Sequence, residues 1–188
     1  MQYQKYGLPP EIDTIRNNKA LFAQWSRYKT KYLIDFSLEL IEIVRKQQPW
    51  VRSARNIFAL PILEPESENW FAQSLPLFLK AYDYTAIMAM PFMENVANPD
   101  IWLKNLAETA LGAAENTNRI IFEIQSKNWQ TGQPIPGPVM LQQILLLVEA
   151  GGTSLAYYPD DFHKNAPPMK IIRTCFASPD PCSAIRNQ

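Results

Sequence analysis

Histidine and cysteine are nearly absent from this 188-residue chain, which has one His and two Cys. With His163 alone, a histidine-based metal centre has almost no material. No CxxC is present to supply a thiolate pair. Neither a metal nor a cofactor is expected. Cys175 and Cys182 flank Ser178-Pro179-Asp180-Pro181. That loop is short enough to close as a disulfide in an oxidising compartment, and two free thiols on a frayed terminus are the alternative. Excess charge of either sign is also missing: Lys plus Arg is 18 and Asp plus Glu is 18. With no surplus of cations to meet phosphates, nucleic acid is not expected as the main partner. The longest apolar run, Ile144–Val148, falls far short of the roughly 20 residues needed to span a bilayer. The opening residues, Met1-Gln2-Tyr3-Gln4-Lys5-Tyr6, contain no apolar segment of a signal peptide. Taken alone, this points to the cytoplasm. No GxGxxG follows a strand and no GxxxxGK[ST] occurs, so a nucleotide-binding fold has no positive support.

What remains is a globular composition, 47% hydrophobic and 19% charged, long enough for one domain with a sizeable core. Aromatics make up 12% and include five Trp. Most belong in the core, although sugar-binding surfaces use the same residues. The pattern along the chain is an alternation of apolar runs and amphipathic stretches. A helix is expected over Pro10–Gln48, with Leu33, Phe36, Leu40 and Ile43 forming one apolar stripe. Asp35, Glu39, Glu42 and Lys46 form its solvated face, with a Glu42–Lys46 pair. Pro49 stops it. Strands are expected at Val51–Leu63, Tyr84–Met90, Arg119–Gln125 and Ser154–Tyr158. The intervening helices are capped by Ser67, broken or restarted at Pro76, started by Asn98-Pro99-Asp100, and opened by Pro138 after the linker Thr131–Gly137. Gly112 and Gly151-Gly152 end helices, and a last helical turn is expected at Met169–Thr174.

Strand–helix alternation implies a parallel sheet of βαβ units. Four strands fall short of the roughly eight that close a barrel of this kind. An open arc would leave unprotected edges. The chain therefore reads as α/β, the C-terminal half of a (β/α)₈ barrel with about four parallel strands. Residues 1–177 form the partial barrel and residues 178–188 a loose tail.

Such folds keep their chemistry at the C-terminal ends of the strands. On the third strand, period-two alternation puts Ile121, Glu123 and Gln125 on one face and Ile120, Phe122 and Ile124 on the other. Glu123 and Gln125 therefore either line a wet lumen or belong to a structural hydrogen-bond network. Glu94 sits just past the second strand, at a rim position or as an acid near a helix start. Trp129, beyond the third strand, is either a stacking platform or a lid over the core. Tyr157-Tyr158-Pro159-Asp160-Asp161 puts two aromatics and two acids at the end of the fourth strand, as a turn or as part of a site. Carboxylates and flat rings around one rim suit a carbohydrate, above all a cationic amino sugar.

Ser53–Pro61, Glu64–Gln73 and Tyr82–Pro91 carry a resemblance, as do Phe122-Glu123-Ile124-Gln125 through Asn128-Trp129, and Tyr157–Phe162. They resemble the PgaB/HmsF family of periplasmic poly-β-1,6-N-acetyl-D-glucosamine N-deacetylases of biofilm export. The resemblance falls on the C-terminal part of the family's second domain, a (β/α)₈ barrel of the glycoside hydrolase 153 class. It implies binding and, in the intact protein, hydrolysis of partially deacetylated polymer. It also implies a periplasmic, outer-membrane-associated location and contact with the export machinery. The family's metal-binding deacetylase domain has no counterpart in this chain. The principal catalytic acid is expected ahead of Met1, so no catalytic residue is assigned. By resemblance Trp129 contacts sugar, while Glu94, Tyr158, Asp160 and Asp161 line the rim. A standalone, non-catalytic polysaccharide-binding or export-scaffold module is the alternative.

Overall fold

The computed structural model describes residues 6–176. Helices α1 (Ile12–Arg16) and α2 (Lys19–Gln47) precede β1 (Ala54–Ile57). Three short helices follow, α3 (Leu60–Leu63), α4 (Glu68–Phe71) and α5 (Leu75–Ala81), and lead into β2 (Tyr84–Ala89). The rest of the chain is α6 (Pro99–Gly112), β3 (Ile120–Gln125), α7 (Gly137–Glu149), β4 (Leu155–Tyr158) and α8 (Met169–Phe176). The strands make one four-stranded sheet in chain order, with every neighbouring pair parallel. The expected α/β class, with four parallel strands alternating with helices, is what the chain adopts.

Several boundaries differ from expectation, each for a local reason. The opening helix divides at Asn17-Asn18, because the Asn18 side chain accepts from the amides of Ala20 (3.0 Å) and Leu21 (3.1 Å) and starts a new helix. The first strand stops at Ile57, not Leu63. The apolar run continues as α3, whose Pro61 and Ile62 are buried, and such a run does not by itself distinguish a strand from a buried helical turn. Ser67 makes no cap, and its buried hydroxyl has no partner among the described residues. Pro76 lies in the first turn of α5 and so starts a helix. Asn98 does cap α6, accepting from the Ile101 amide at 3.1 Å. Glu42 pairs with Arg45 at 3.7 Å, the only ion pair it makes among the described residues, so the expected Glu42–Lys46 pair is not formed. Cys182 and the expected tail lie outside the described residues.

Strand register and alternation sort the sheet into two faces. Ile57, Ile87 and Phe122 align across β1, β2 and β3. With Ala89, Ile120 and Ile124 they pack against Leu103 and Leu106 of α6 and Met140, Ile144 and Leu147 of α7. Gly152 permits this packing. A Cβ there would stand 2.8 Å from the Leu147 carbonyl oxygen and 3.1 Å from the Phe122 ring. At the N-terminal ends of the strands, Asp83 accepts from Arg45 (2.7 Å), the Ser53 amide (2.7 Å) and the Ser53 hydroxyl (2.8 Å). Those bonds, led by the Ser53 amide and helped by the Arg45 charge, hold its carboxyl below the usual carboxylate range. This end of the sheet is tied down, which leaves the opposite end for function.

Candidate functional site

The second sheet face carries Asn56, Ala86, Met88, Ile121, Glu123, Gln125, Ala156 and Tyr158, as the register requires. Glu123 is half-buried there and accepts from the Asn56 side-chain amide at 3.0 Å. Burial pushes its carboxyl above the usual range. Gln125, fully buried, behaves differently. Its amide oxygen accepts from the Met93 backbone N–H at 2.9 Å, and its amide nitrogen donates to the Lys127 carbonyl at 2.8 Å. One side chain thereby joins the loop after β2, which carries Glu94, to the loop after β3, which carries Trp129. With both polar ends committed to backbone, Gln125 serves this rim by holding it in shape. Glu94 follows a turn in which its own N–H donates to the Met90 carbonyl at 3.2 Å. The half-buried Glu94 carboxyl is likewise pushed upward by burial.

Trp129 stands on a tight turn. Asn128 accepts through its side chain from the amides of Gln130 (2.9 Å) and Thr131 (3.2 Å). Gly132 closes the turn at φ +72°, in the left-handed region, and its N–H donates to the Asn128 carbonyl at 2.8 Å. The ends of β3 and β4 are cross-tied: the Ser126 N–H donates to the Tyr158 carbonyl at 2.9 Å, and the Ser126 hydroxyl donates to the Pro159 carbonyl. The result is a stacked pair of rings, Trp129 on Tyr158, with centroids 6.3 Å apart and planes inclined by 24°. Trp129 remains 41% exposed and Tyr158 55% exposed. Exposed, pre-oriented aromatic faces at strand C-termini are apolar platforms with a polar edge, suited to the C–H face of a sugar ring.

The two acids after β4 are unlike each other. Asp160 is exposed and accepts from the Tyr157 hydroxyl at 3.4 Å. Asp161 is consumed by its own loop. It accepts from the Lys164 amide at 3.2 Å, pairs with the Lys164 ammonium at 3.4 Å, and exchanges backbone bonds with Ala166. Burial acts upward on the Asp161 carboxyl, but the Lys164 bonds and charge hold it below the usual range. Both acids line a cleft of about 310 Å³ with Ser126, Lys127, Pro159 and His163. Glu94, Glu123 and Trp129 are not among its described lining residues. The candidate residues thus form a rim joined through Gln125 and the ring pair, with Asp160 in an adjoining cleft. Among the described residues no three His, Cys, Asp or Glu side chains are clustered to hold a metal ion. One neighbour of this rim was not singled out from sequence. Asn56 reaches Glu123 across 67 positions of chain, which no local pattern signals.

A family model described as hypothetical glycosyl hydrolase family 13 (GHL13) matches residues 1–158. The chain belongs to this glycosyl hydrolase family. The GHL13 match takes in Glu94, Glu123, Gln125, Trp129 and Tyr158 and ends before Asp160. The chain is 41% identical, over 182 residues, to the poly-β-1,6-N-acetyl-D-glucosamine N-deacetylase of Escherichia coli strain K12, and equally to that of Escherichia coli O157:H7. The match spans 94% of this chain but 27% of each relative, so the chain covers about a quarter of the length of these curated relatives. Its fold matches the PgaB (BpsB) glycoside hydrolase domain from Bordetella bronchiseptica with a TM-score of 0.87 and 43% identity. That match covers 93% of this chain and 50% of the solved one. This GHL13 chain is therefore a homologue of PgaB in its glycoside hydrolase region.

Proposed function

We propose that this segment is the sugar-binding wall of a glycoside hydrolase groove, and that its ligand is partially deacetylated poly-β-1,6-N-acetylglucosamine. The observation that carries the reading is the exposed Trp129–Tyr158 stack at the strand ends. Gln125 joins its loop to that of the half-buried Glu94. Trp129 and Tyr158 pack on pyranose faces, and Gln125 holds the rim. Asp160, exposed beside the stack, attracts the ammonium of a glucosamine unit, while Asp161 shapes its loop. An ammonium placed beside Glu94 or Glu123 restores the charged carboxylate that burial disfavours. In the whole domain, hydrolysis requires a pair of carboxyl groups, about 5–5.5 Å apart for retention and wider for inversion. Residues 1–177 are proposed to form the barrel portion, acting in the periplasm beside outer-membrane export machinery. Among the described residues no helix is long and apolar enough to cross a membrane.

The test is calorimetric titration of the 188-residue chain with β-1,6-linked oligomers, either partially deacetylated or fully acetylated. The deacetylated oligomers are expected to bind tighter. Glu94→Gln and Asp160→Asn are expected to weaken mainly that binding. Equal loss for acetylated oligomers would remove the charge argument, and no binding of either would remove the wall itself.

A further inference from the structure

At the N-terminal ends of the strands the chain gathers cations that the rim does not use. Arg52, Asp83, Tyr84, Asn116, Asn118 and Arg119 line a hollow of about 280 Å³. They come from the segments that enter β1, β2 and β3, so the order of the sheet brings them together. Asp83 is the one carboxylate among them, and it is already bonded to Arg45 and to both Ser53 donors. It feels the Arg52 charge but makes no bond to it. Arg52 and Arg119 form no ion pair among the described residues. An adjoining hollow shares Asn116 and Arg119, and there Lys80 and Glu115 offset each other. Two uncompensated guanidinium charges therefore collect at this end of a chain whose net charge is zero.

Each donor is held at one end and unspent at the other. Arg119 donates through Nε to the Asp83 carbonyl at 3.1 Å and through one Nη to the Tyr82 carbonyl, which leaves its other Nη. Arg52 spends a single N–H, on the Tyr84 hydroxyl at 3.3 Å. The Asn116 side-chain oxygen accepts from the Asn118 N–H at 3.1 Å, and that of Asn118 accepts from the Thr153 hydroxyl at 3.1 Å. These bonds fix both amide groups by their oxygens. Among the described residues neither amide nitrogen has an acceptor. Stability accounts for the Asp83 bonds, which close on themselves, but leaves these donors unused around one hollow. Planar guanidinium groups beside amide donors are suited to phosphate, which takes charge-assisted bonds on several oxygens. Charge selects in the same direction, since two cations match a doubly charged phosphate better than a singly charged carboxylate.

We infer that this hollow binds a phosphate group, with Arg52 and Arg119 meeting its charge and Asn116 and Asn118 donating to its oxygens. The inference is independent of the sugar reading, which concerns the opposite end of the sheet. Free and lipid-borne phosphate share this chemistry, so the test has two arms. In the first, the 188-residue chain is titrated with inorganic phosphate at constant ionic strength and followed by NMR, with acetate as the control. The Asn118 and Arg119 amides should shift saturably in the millimolar range, and acetate should not reproduce this. In the second, the chain is floated with phosphatidylcholine vesicles, with or without phosphatidic acid. Arg52 is exposed and stands outside the Asp83 bonds, so Arg52→Gln should keep the melting temperature while weakening binding by about tenfold. Arg52→Lys keeps the charge without the planar fork and should fall between the two. Asn118→Asp keeps an oxygen for Thr153 but turns a negative charge on the phosphate, and should abolish binding. Binding of inorganic phosphate without vesicle capture assigns the site to a free phosphate group. Capture that requires phosphatidic acid assigns it to a lipid headgroup, and either result upholds the site. Binding in neither arm would overturn the inference. So would acetate acting as well as phosphate, or binding indifferent to Arg52→Gln and Asn118→Asp.

Discussion

Replacing Gln125 by Ala tests how the rim is held together. The side chain is fully buried and makes bonds of 2.9 Å to the Met93 amide and 2.8 Å to the Lys127 carbonyl. The Met93 N–H retains its second acceptor, the Met90 carbonyl at 3.0 Å, while the Lys127 carbonyl loses its side-chain donor. Two net hydrogen bonds at about 1 kcal/mol each, plus a small void, give a loss of about 2–3 kcal/mol. For a domain of this size that lowers the melting temperature by roughly 5–10 °C. Gln125→Glu sharpens the test. Protonated, the new carboxyl can donate to the Lys127 carbonyl as the amide does. Ionised, it presents a buried charge to that oxygen, so its folded pKa must lie above the unfolded value of about 4.3. A carboxyl raised in the folded state loses stability as pH climbs from the unfolded pKa through the folded one. The variant should therefore approach wild-type stability near pH 4 and fall behind it by pH 7. Circular-dichroism melts across that range are the assay. A Gln125→Ala protein melting within about 2 °C of wild type, or a Gln125→Glu protein with no pH-dependent deficit, would refute the clamp.

Asp83→Asn should lower the melting temperature at pH 7. Because the Asp83 carboxyl is depressed in the folded protein, its contribution is present above the unfolded pKa of about 3.9 and is lost as pH falls through the folded value. A deficit that persists undiminished at pH 2 would contradict this. Glu123→Gln should keep the Asn56 contact while removing a charge that burial disfavours. The stability of the variant relative to wild type should therefore increase as pH rises above about 4.3; a variant less stable than wild type at pH 7 would argue against it. Gly152→Ala places a Cβ 2.8 Å from the Leu147 carbonyl and should cost about 1–3 kcal/mol in a urea titration. Unchanged stability would show that the α7–β4 turn yields freely.

Strand identity and order were legible because buried parallel strands announce themselves as apolar runs between helix caps and breakers, as at Tyr84–Ala89 and Ile120–Gln125. Alternation also placed Glu123 and Gln125 on one face, where the register keeps them. The spacing rules did not reach side-chain relations made over long chain separations. Gln125 is buried because a loop 32 residues away folds over it, and Asn56 meets Glu123 only once β1 and β3 flank β2. Asp160 and Asp161 are equivalent as letters. They part company only when the bonds to Lys164 commit one of them. The α2 stripe shows the same limit, since spacing finds an apolar face but not what covers it.

The claim that Trp129 and Tyr158 form a sugar platform is tested most directly by Trp129→Ala, titrated calorimetrically with a partially deacetylated β-1,6-glucosamine oligomer. The side chain is exposed, so the melting temperature should hold while affinity falls by about tenfold or more. Unchanged affinity in a folded Trp129→Ala protein would contradict the account.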